Sequence, residues 1–183
     1  TATATARFLR VFRHTPPAIL SSRDVMSLGA ARLTHDTMSL TDLTLLVVDD
    51  DTANLESLRR IFEREGARVL TATSGRAALD VCRQQRVAVV VTDLMMPGMS
   101  GLELLKALDT VAADAEVVLM TAYGTIETAV EAMRGGAYDF VEKPLKRMQI
   151  VKTVEKAAER HSLVAENRDL KRELTALKTR TIV

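Results

Sequence analysis

Five short aliphatic runs, each followed by residues at helical spacing, recur between residues 43 and 145 and limit what this chain can fold into more than any other feature. Leu43 to Val48 is broken only by Thr44 and ends in Asp49-Asp50-Asp51. An unbroken run of this length reads as a strand buried on both faces, as in a parallel sheet. Leu55, Leu58, Ile61 and Phe62 then predict a helix over 52–65, with Gly66 as its stop. A strand over 67–73 and a helix over 75–85 carrying Ala78, Leu79 and Cys82 come next. Val87 to Val91 predicts a third strand that runs into Thr92-Asp93. A Pro97-Gly98 turn, a helix over 101–109, a strand Val117 to Met120, a helix over 125–134 and a strand Ala137 to Val141 complete the series. Strands alternating with helices in this way imply an open α/β sheet with crossover helices on both faces.

In such a sheet the functional crevice lies beyond the carboxyl ends of the strands. Here those ends carry Asp49 and Asp50, then Asp93, then Thr121, then Lys143-Pro144. Taken singly, an Asp after a strand is a cap or turn residue, a loop Lys is solvated, and a Thr follows β-propensity. Their arrival on one rim asks for a joint explanation. Converging carboxylates repel one another unless a cation sits among them. Oxygen donors without His or Cys favour a hard ion such as Mg²⁺. A carboxylate can also attack phosphorus and form an aspartyl phosphate, while a lysine and a divalent ion neutralise the phosphoryl oxygens.

Four blocks in order resemble the receiver domain of two-component response regulators: Leu-Val-Val-Asp-Asp at 46–50, Val-Thr-Asp-Leu-Met-Met-Pro-Gly-Met-Ser-Gly at 91–101, Met-Thr-Ala at 120–122 and Gly-Ala-Tyr-Asp-Phe-Val-Glu-Lys-Pro at 136–144. The resemblance implies a flavodoxin-like (CheY-like) five-stranded parallel sheet of order 2-1-3-4-5, an order that periodicity does not supply. It implies that Asp93 accepts a phosphoryl group from a sensor histidine kinase, with Lys143 and Thr121 contacting the phosphoryl oxygens. It implies a Mg²⁺ held by Asp50, Asp93 and the backbone carbonyl of Met95, and by Asp49 through water. Asp51 falls outside that set. Phe140 stands at the family's aromatic switch position, paired with Thr121, and the Lys143-Pro144 bond is expected to be cis. By the same resemblance the chain is a phosphoacceptor rather than an enzyme. The alternatives are a coiled-coil adaptor that takes no phosphate and an aspartyl-phosphate phosphatase. The second acid that such a phosphatase wants two residues on is Met95 here.

Beyond residue 145 a helical pattern carries Ile150, Val151, Val154 and Ala158 and continues without Pro or Gly to about residue 178. Leu163, Asn167, Leu170, Leu174 and Leu177 follow at alternating steps of four and three, a coiled-coil seam. Glu166 and Glu173 then fall at g and Lys171 and Lys178 at e, and Asn167 at a favours a parallel, in-register homodimer. The alternative is a single amphipathic helix laid on another domain. A receiver followed by such a helix resembles the regulatory region of NtrC-type activators of sigma-54 transcription. The chain therefore reads as residues 1–41, a disordered or non-native leader, 42–160, a receiver, and 161–183, a coiled-coil linker. Lacking a Walker motif or a helix-turn-helix pattern, it reads as a fragment whose output module has been removed.

Charge and composition narrow the partners. Net charge is +1, which argues against direct nucleic-acid contact by this piece. That value averages a leader with five arginines (Arg7, Arg10, Arg13, Arg23, Arg32) against Asp24 and Asp36, net +3, with a remainder of net −2. The arginine-rich, acid-poor leader also resembles a transit peptide, while Met38 just before the first strand suggests a mis-assigned start. With no apolar run near about 18 residues, a membrane span is not expected. The single cysteine, Cys82, cannot form an internal disulfide and reads as inert packing, so a cytoplasmic setting is expected. His14, His35 and His161 lie outside the crevice pattern, and the methionines read as fillers of loops and cores.

Overall fold

In the computed structural model of the chain, residues 40–180 are described apart from Asp42 and Tyr123, with backbone alone over 176–180. The leader assigned to 1–41 falls, except for Leu40 and Thr41, outside the described residues. Five strands, β1 (Thr44–Val48), β2 (Arg68–Ala72), β3 (Val89–Asp93), β4 (Glu116–Thr121) and β5 (Asp139–Glu142), alternate with α1 (Thr52–Arg64), α2 (Gly75–Gln84), α3 (Gly101–Val111), α4 (Ile126–Arg134) and α5 (Arg147–Arg180). All strand pairs are parallel, in the order β2-β1-β3-β4-β5. The expected architecture and order are both present.

The aliphatic runs follow from burial on two sides. Leu45 and Val47 of β1 and Val89 and Val91 of β3 turn toward Leu55, Leu58 and Phe62 of α1 and Ile150 and Val154 of α5. Leu46, Val48 and Val90 turn the other way, toward Ala78 of α2 and Leu104 and Leu108 of α3. Every second residue thus meets a different helical layer, so the middles of the central strands are aliphatic, up to the buried Thr92 near the end of β3. Each fully buried aliphatic side chain is worth about 1.5–3 kcal/mol. Polar residues set the helix starts instead. Asp51 caps α1 by accepting from the Ala53 N–H, Ser74 caps α2, and Ser100 with Glu103 forms a capping box on α3. At the end of α1, Gly66 adopts φ +90, where a side chain would be strained, and the Ala67 N–H closes on the Phe62 carbonyl.

Three strands differ from the pattern-based limits by one residue at one or both ends, and two, β3 and β5, start two residues later. β3 begins at Val89 rather than Val87 and includes Thr92 and Asp93, because its ladder opens at Leu45↔Val89 and closes at Asp93↔Met120. β5 starts at Asp139 rather than Ala137, since pairing with β4 begins at Val118↔Asp139. Val87, Ala88 and Ala137 are buried all the same, and apolar content cannot tell a buried approach from a paired strand. Methionine filling is also mixed. Met96 and Met120 are buried, but Met95, Met133 and Met148 are exposed.

The last helix runs unbroken for 34 residues, about 50 Å at 1.5 Å per residue, through the boundary assigned at 160/161. Its apolar contacts end at Ala157 and Ala158. Polar contacts take over: Arg160 pairs with Glu116 at 3.1 Å and lies over the Tyr138 ring, and the His161 ring bonds the Asp114 carbonyl. Arg168 pairs with Asp114 at 2.6 Å and holds that carboxyl below the usual range. Leu163, Leu170 and Leu174 of the expected seam are exposed, as is Asn167, and Leu177 is described by its backbone only.

Gly101 joins β3 to α3. A Cβ there would overlap the Asp93 carbonyl oxygen and stand 2.9 Å from Leu119 Cδ2. In an open helical position Gly→Ala stabilises by about 0.4–1 kcal/mol. Here overpacking should win, and Gly101→Ala is expected to lose about 1–3 kcal/mol in urea unfolding. A stabilised variant would show that the joint is looser than this packing requires.

Candidate functional site

Because the middles of β1, β3 and β4 are aliphatic, side chains that can do chemistry collect where these strands stop. Asp49 follows β1 directly and is 1% exposed. Its Oδ1 accepts from the Asp51 N–H at 2.8 Å, and its Oδ2 accepts from Lys143 Nζ at 2.9 Å and from Asn54 Nδ2 at 3.3 Å. Asp93 closes β3, with its Oδ2 3.2 Å from the same Lys143 Nζ. Asp50 is exposed beside them. One carboxylate oxygen from each of Asp49, Asp50 and Asp93 can be chosen so that all three lie within 4.8 Å of one another.

Lys143 directly follows the edge strand β5. Its backbone N–H bonds the Thr121 carbonyl at 2.7 Å, and its peptide bond to Pro144 is cis. Burial alone would lower the affinity of Lys143 for its proton. The hydrogen bond to Asp49 and the charge of Asp93 outweigh that, so its pKa is raised. Asp93 is raised as well, first by burial and further by Asp49, with Lys143 offsetting only part. Three carboxylates facing one ammonium leave an excess of negative charge. The donors are all hard oxygens, which suits a hard divalent cation of the Mg²⁺ type.

Thr121 closes β4 next to the Asp93 partner Met120 and is buried. It lines a small, partly open cavity of about 10 Å³ with Leu94, Leu119, Thr128, Ala129 and Phe140. Phe140, on β5 and half-buried, also lines an outer groove of about 500 Å³ along Ile126, Val130 and Met133. Met95 sits two residues past Asp93 with its side chain exposed.

Asp49, Asp50, Asp93 and Lys143 thus come together, Thr121 ends the neighbouring strand β4, and Asp51 is engaged as a helix cap. Cys82 is buried in the α2 face, where burial raises its pKa, and His161 lies at the opposite end of the sheet. Sequence reasoning missed Asn54. The signal that could have found it is a carboxamide five residues after Asp49, in the first turn of α1.

The raised pKa of Asp93 means that the folded chain holds this proton more tightly than the unfolded chain does. Its ionised form therefore costs stability in full above the folded pKa, and that cost shrinks as pH falls through the folded pKa and is gone below the unfolded one. In metal-free buffer at neutral pH, Asp93→Asn is expected to melt above wild type in calorimetry, with the difference shrinking on acidification. A lower melting temperature for the variant at neutral pH would contradict this balance.

Comparison with known proteins accords with this geometry. Residues 45–155, more than half of the chain, match the family model of the response regulator receiver domain. The C4-dicarboxylate transport transcriptional regulatory protein DctD of Pseudomonas aeruginosa is 40% identical over 127 residues, 69% of this chain and 28% of that protein. The transcriptional regulatory protein FixJ of Azorhizobium caulinodans is 45% identical over 112 residues, 61% of this chain and 53% of the relative. The chain therefore spans between about a quarter and about half of the length of these relatives. A receiver domain structure from Clostridium thermocellum superposes with a TM-score of 0.63 at 28% identity, covering 67% of this chain and 98% of that one. With its acids, lysine and hydroxyl gathered at the ends of a 2-1-3-4-5 parallel sheet, the chain belongs to the response regulator receiver domain family.

Proposed function

We propose that Asp93 is the phosphoacceptor of a two-component system, taking a phosphoryl group from a histidine of a sensor kinase. The observation that carries this reading is the convergence of Asp49, Asp50 and Asp93, with Lys143 Nζ 2.9 Å from Asp49 and 3.2 Å from Asp93. A carboxylate oxygen of Asp93 attacks phosphorus, the phosphorus–nitrogen bond breaks, and the electron pair stays on the donor imidazole, which takes up a proton. Asp50, Asp93 and the Met95 carbonyl would hold Mg²⁺ directly and Asp49 through water. When bound, that ion supplies charge neutralisation at the phosphoryl oxygens. Lys143 swings from sharing two carboxylates to pairing with the new phosphoryl oxygens, and the Thr121 hydroxyl turns to donate to one of them. The family is a signalling phosphoacceptor domain, and the chain assists only its own phosphotransfer and hydrolysis.

The switch follows from the cavity beside Phe140. At about 10 Å³ it cannot admit a phenyl ring while Thr121 lines it. Movement of Thr121 toward the phosphoryl group makes that room. Phe140 turns inward and reshapes the groove along Ile126, Val130 and Met133, a local charge change biasing a two-state surface. The helix α5, on which Leu163, Leu170 and Leu174 are exposed, pairs with a second copy along the seam Leu163, Asn167, Leu170, Leu174 and Leu177, so the switch acts on a dimer. Receiver and helix together serve as the regulatory region of an NtrC-type sigma-54 activator. The transcriptional regulators DctD and ZraR, of which the chain aligns with 28% and 30%, support this setting.

Two measurements test these readings. Intact mass after incubation with a small phosphodonor should show a Mg²⁺-dependent phosphate adduct on wild type that is absent from Asp93→Asn, and an unmodified wild type would refute the phosphoacceptor role. Light scattering of the double variant Leu170→Lys, Leu174→Lys should show a monomer where wild type is a dimer. A dimer retained in the variant would move the interface off α5.

A further inference from the structure

Asp49 is the most buried of the three acids, and its donors are unequal in kind. Oδ1 is taken by a backbone group, the Asp51 N–H. Oδ2 depends on two side chains, Lys143 at 2.9 Å and Asn54 at 3.3 Å. Lys143 is not dedicated to it, because Asp93 Oδ2 is 3.2 Å from the same ammonium. Added negative charge on Asp93 draws Lys143 away from Asp49. A carboxylate that is 1% exposed has little access to water that could replace the lost donor, and an unpaired buried charge is costly.

Asn54 is the side chain that remains. It sits in the first turn of α1, between Ala53, whose N–H is capped by Asp51, and Leu55, which is buried in the core. Both neighbours fix the backbone from which the amide reaches back to Asp49. The chemistry of an amide suits the position. It donates a hydrogen bond and carries no charge, so Asp49 keeps its full negative charge for a cation. A lysine or arginine there would compete with the ion. An asparagine in a first helical turn is often only a solvated polar residue, but this one is half-buried and aimed at the innermost acid.

We infer that Asn54 is a positioning residue for the cation site: its Nδ2 holds Oδ2 of Asp49 in the orientation that ion binding needs, and it keeps that hold when Lys143 turns to Asp93. The inference rests on the reading of the three acids as a Mg²⁺ site. Outer-shell hydrogen bonds of this sort typically carry 10–100-fold in metal affinity.

The test uses the full chain without phosphodonor. Titration calorimetry with Mg²⁺ compares wild type, Asn54→Leu, which keeps the size and loses the donor, and Asn54→Gln, which restores an amide. Melting temperatures are taken in chelator. The expected result is a dissociation constant for Mg²⁺ about tenfold weaker in Asn54→Leu, partial recovery in Asn54→Gln, and equal metal-free melting temperatures. An unchanged constant in Asn54→Leu would overturn the assignment. So would equal weakening in both variants, or weakening with a lower metal-free melting temperature, which would mark a packing role. Wild type that binds Mg²⁺ yet takes no phosphate would refute the phosphoacceptor reading and leave Asn54 in place, whereas wild type that binds no Mg²⁺ would remove the basis of both.

Discussion

Lys143 is bonded to two carboxylates that enter from two different strands, and most of what is distinctive about the molecule depends on that shared ammonium. Asp49 and Asp93 end neighbouring strands, β1 and β3, and their charges repel at this separation. Only a cation between them makes the rim tolerable. The chain delivers that cation from β5, two strands beyond β3, by way of a backbone bond to Thr121 and a cis bond to Pro144. The same lysine cannot satisfy both acids fully. Asp93 retains a raised pKa, and Asp49 needs a second donor in Asn54. A site balanced in this way answers readily to one more charge, which is a useful property in a switch.

The core explains why such a site can exist. Both faces of the sheet are covered by helices, so the middles of β1, β3 and β4 are aliphatic, and the charged groups of these strands lie at their ends. Parallel register then brings those last residues side by side. The helices are pinned close: Gly101 lets α3 start against the Asp93 carbonyl, and Gly75 lets α2 start against Met99. Gly101 thereby ties the end of the loop that follows Asp93 to the backbone where that loop begins.

At the opposite end of the sheet, the long helix leaves the domain without a joint. Its apolar interface ends at Ala158, but Arg160, His161 and Arg168 continue to bond Glu116 and Asp114 near the start of β4. Exposed pairs of this kind contribute little to stability one at a time, about 0.2–1 kcal/mol each. Their effect is on direction, since three contacts over about two helical turns oppose bending at the point where the buried face stops. The strand β4 thus connects a site at one end, through Thr121, with the base of the helix at the other, through Glu116.

Much of this was legible in the one-dimensional chain. The alternation of aliphatic runs with helical spacing determined the α/β class, the both-face burial of the strands and the placing of Asp49, Asp50, Asp93, Thr121 and Lys143 at strand ends, because the period of a buried face is local. Strand limits were less secure at Val87 and Ala137, where a buried residue and a paired one look alike. Only the tertiary structure decided that Lys143 is shared between Asp49 and Asp93, that Asn54 donates to Asp49, and that Arg168 reaches Asp114, 54 residues away. The physical reason is common to all three. A hydrogen bond or ion pair depends on separations of about 3 Å that the folded backbone sets, and a sequence carries the identity of the partners but not the distance between them.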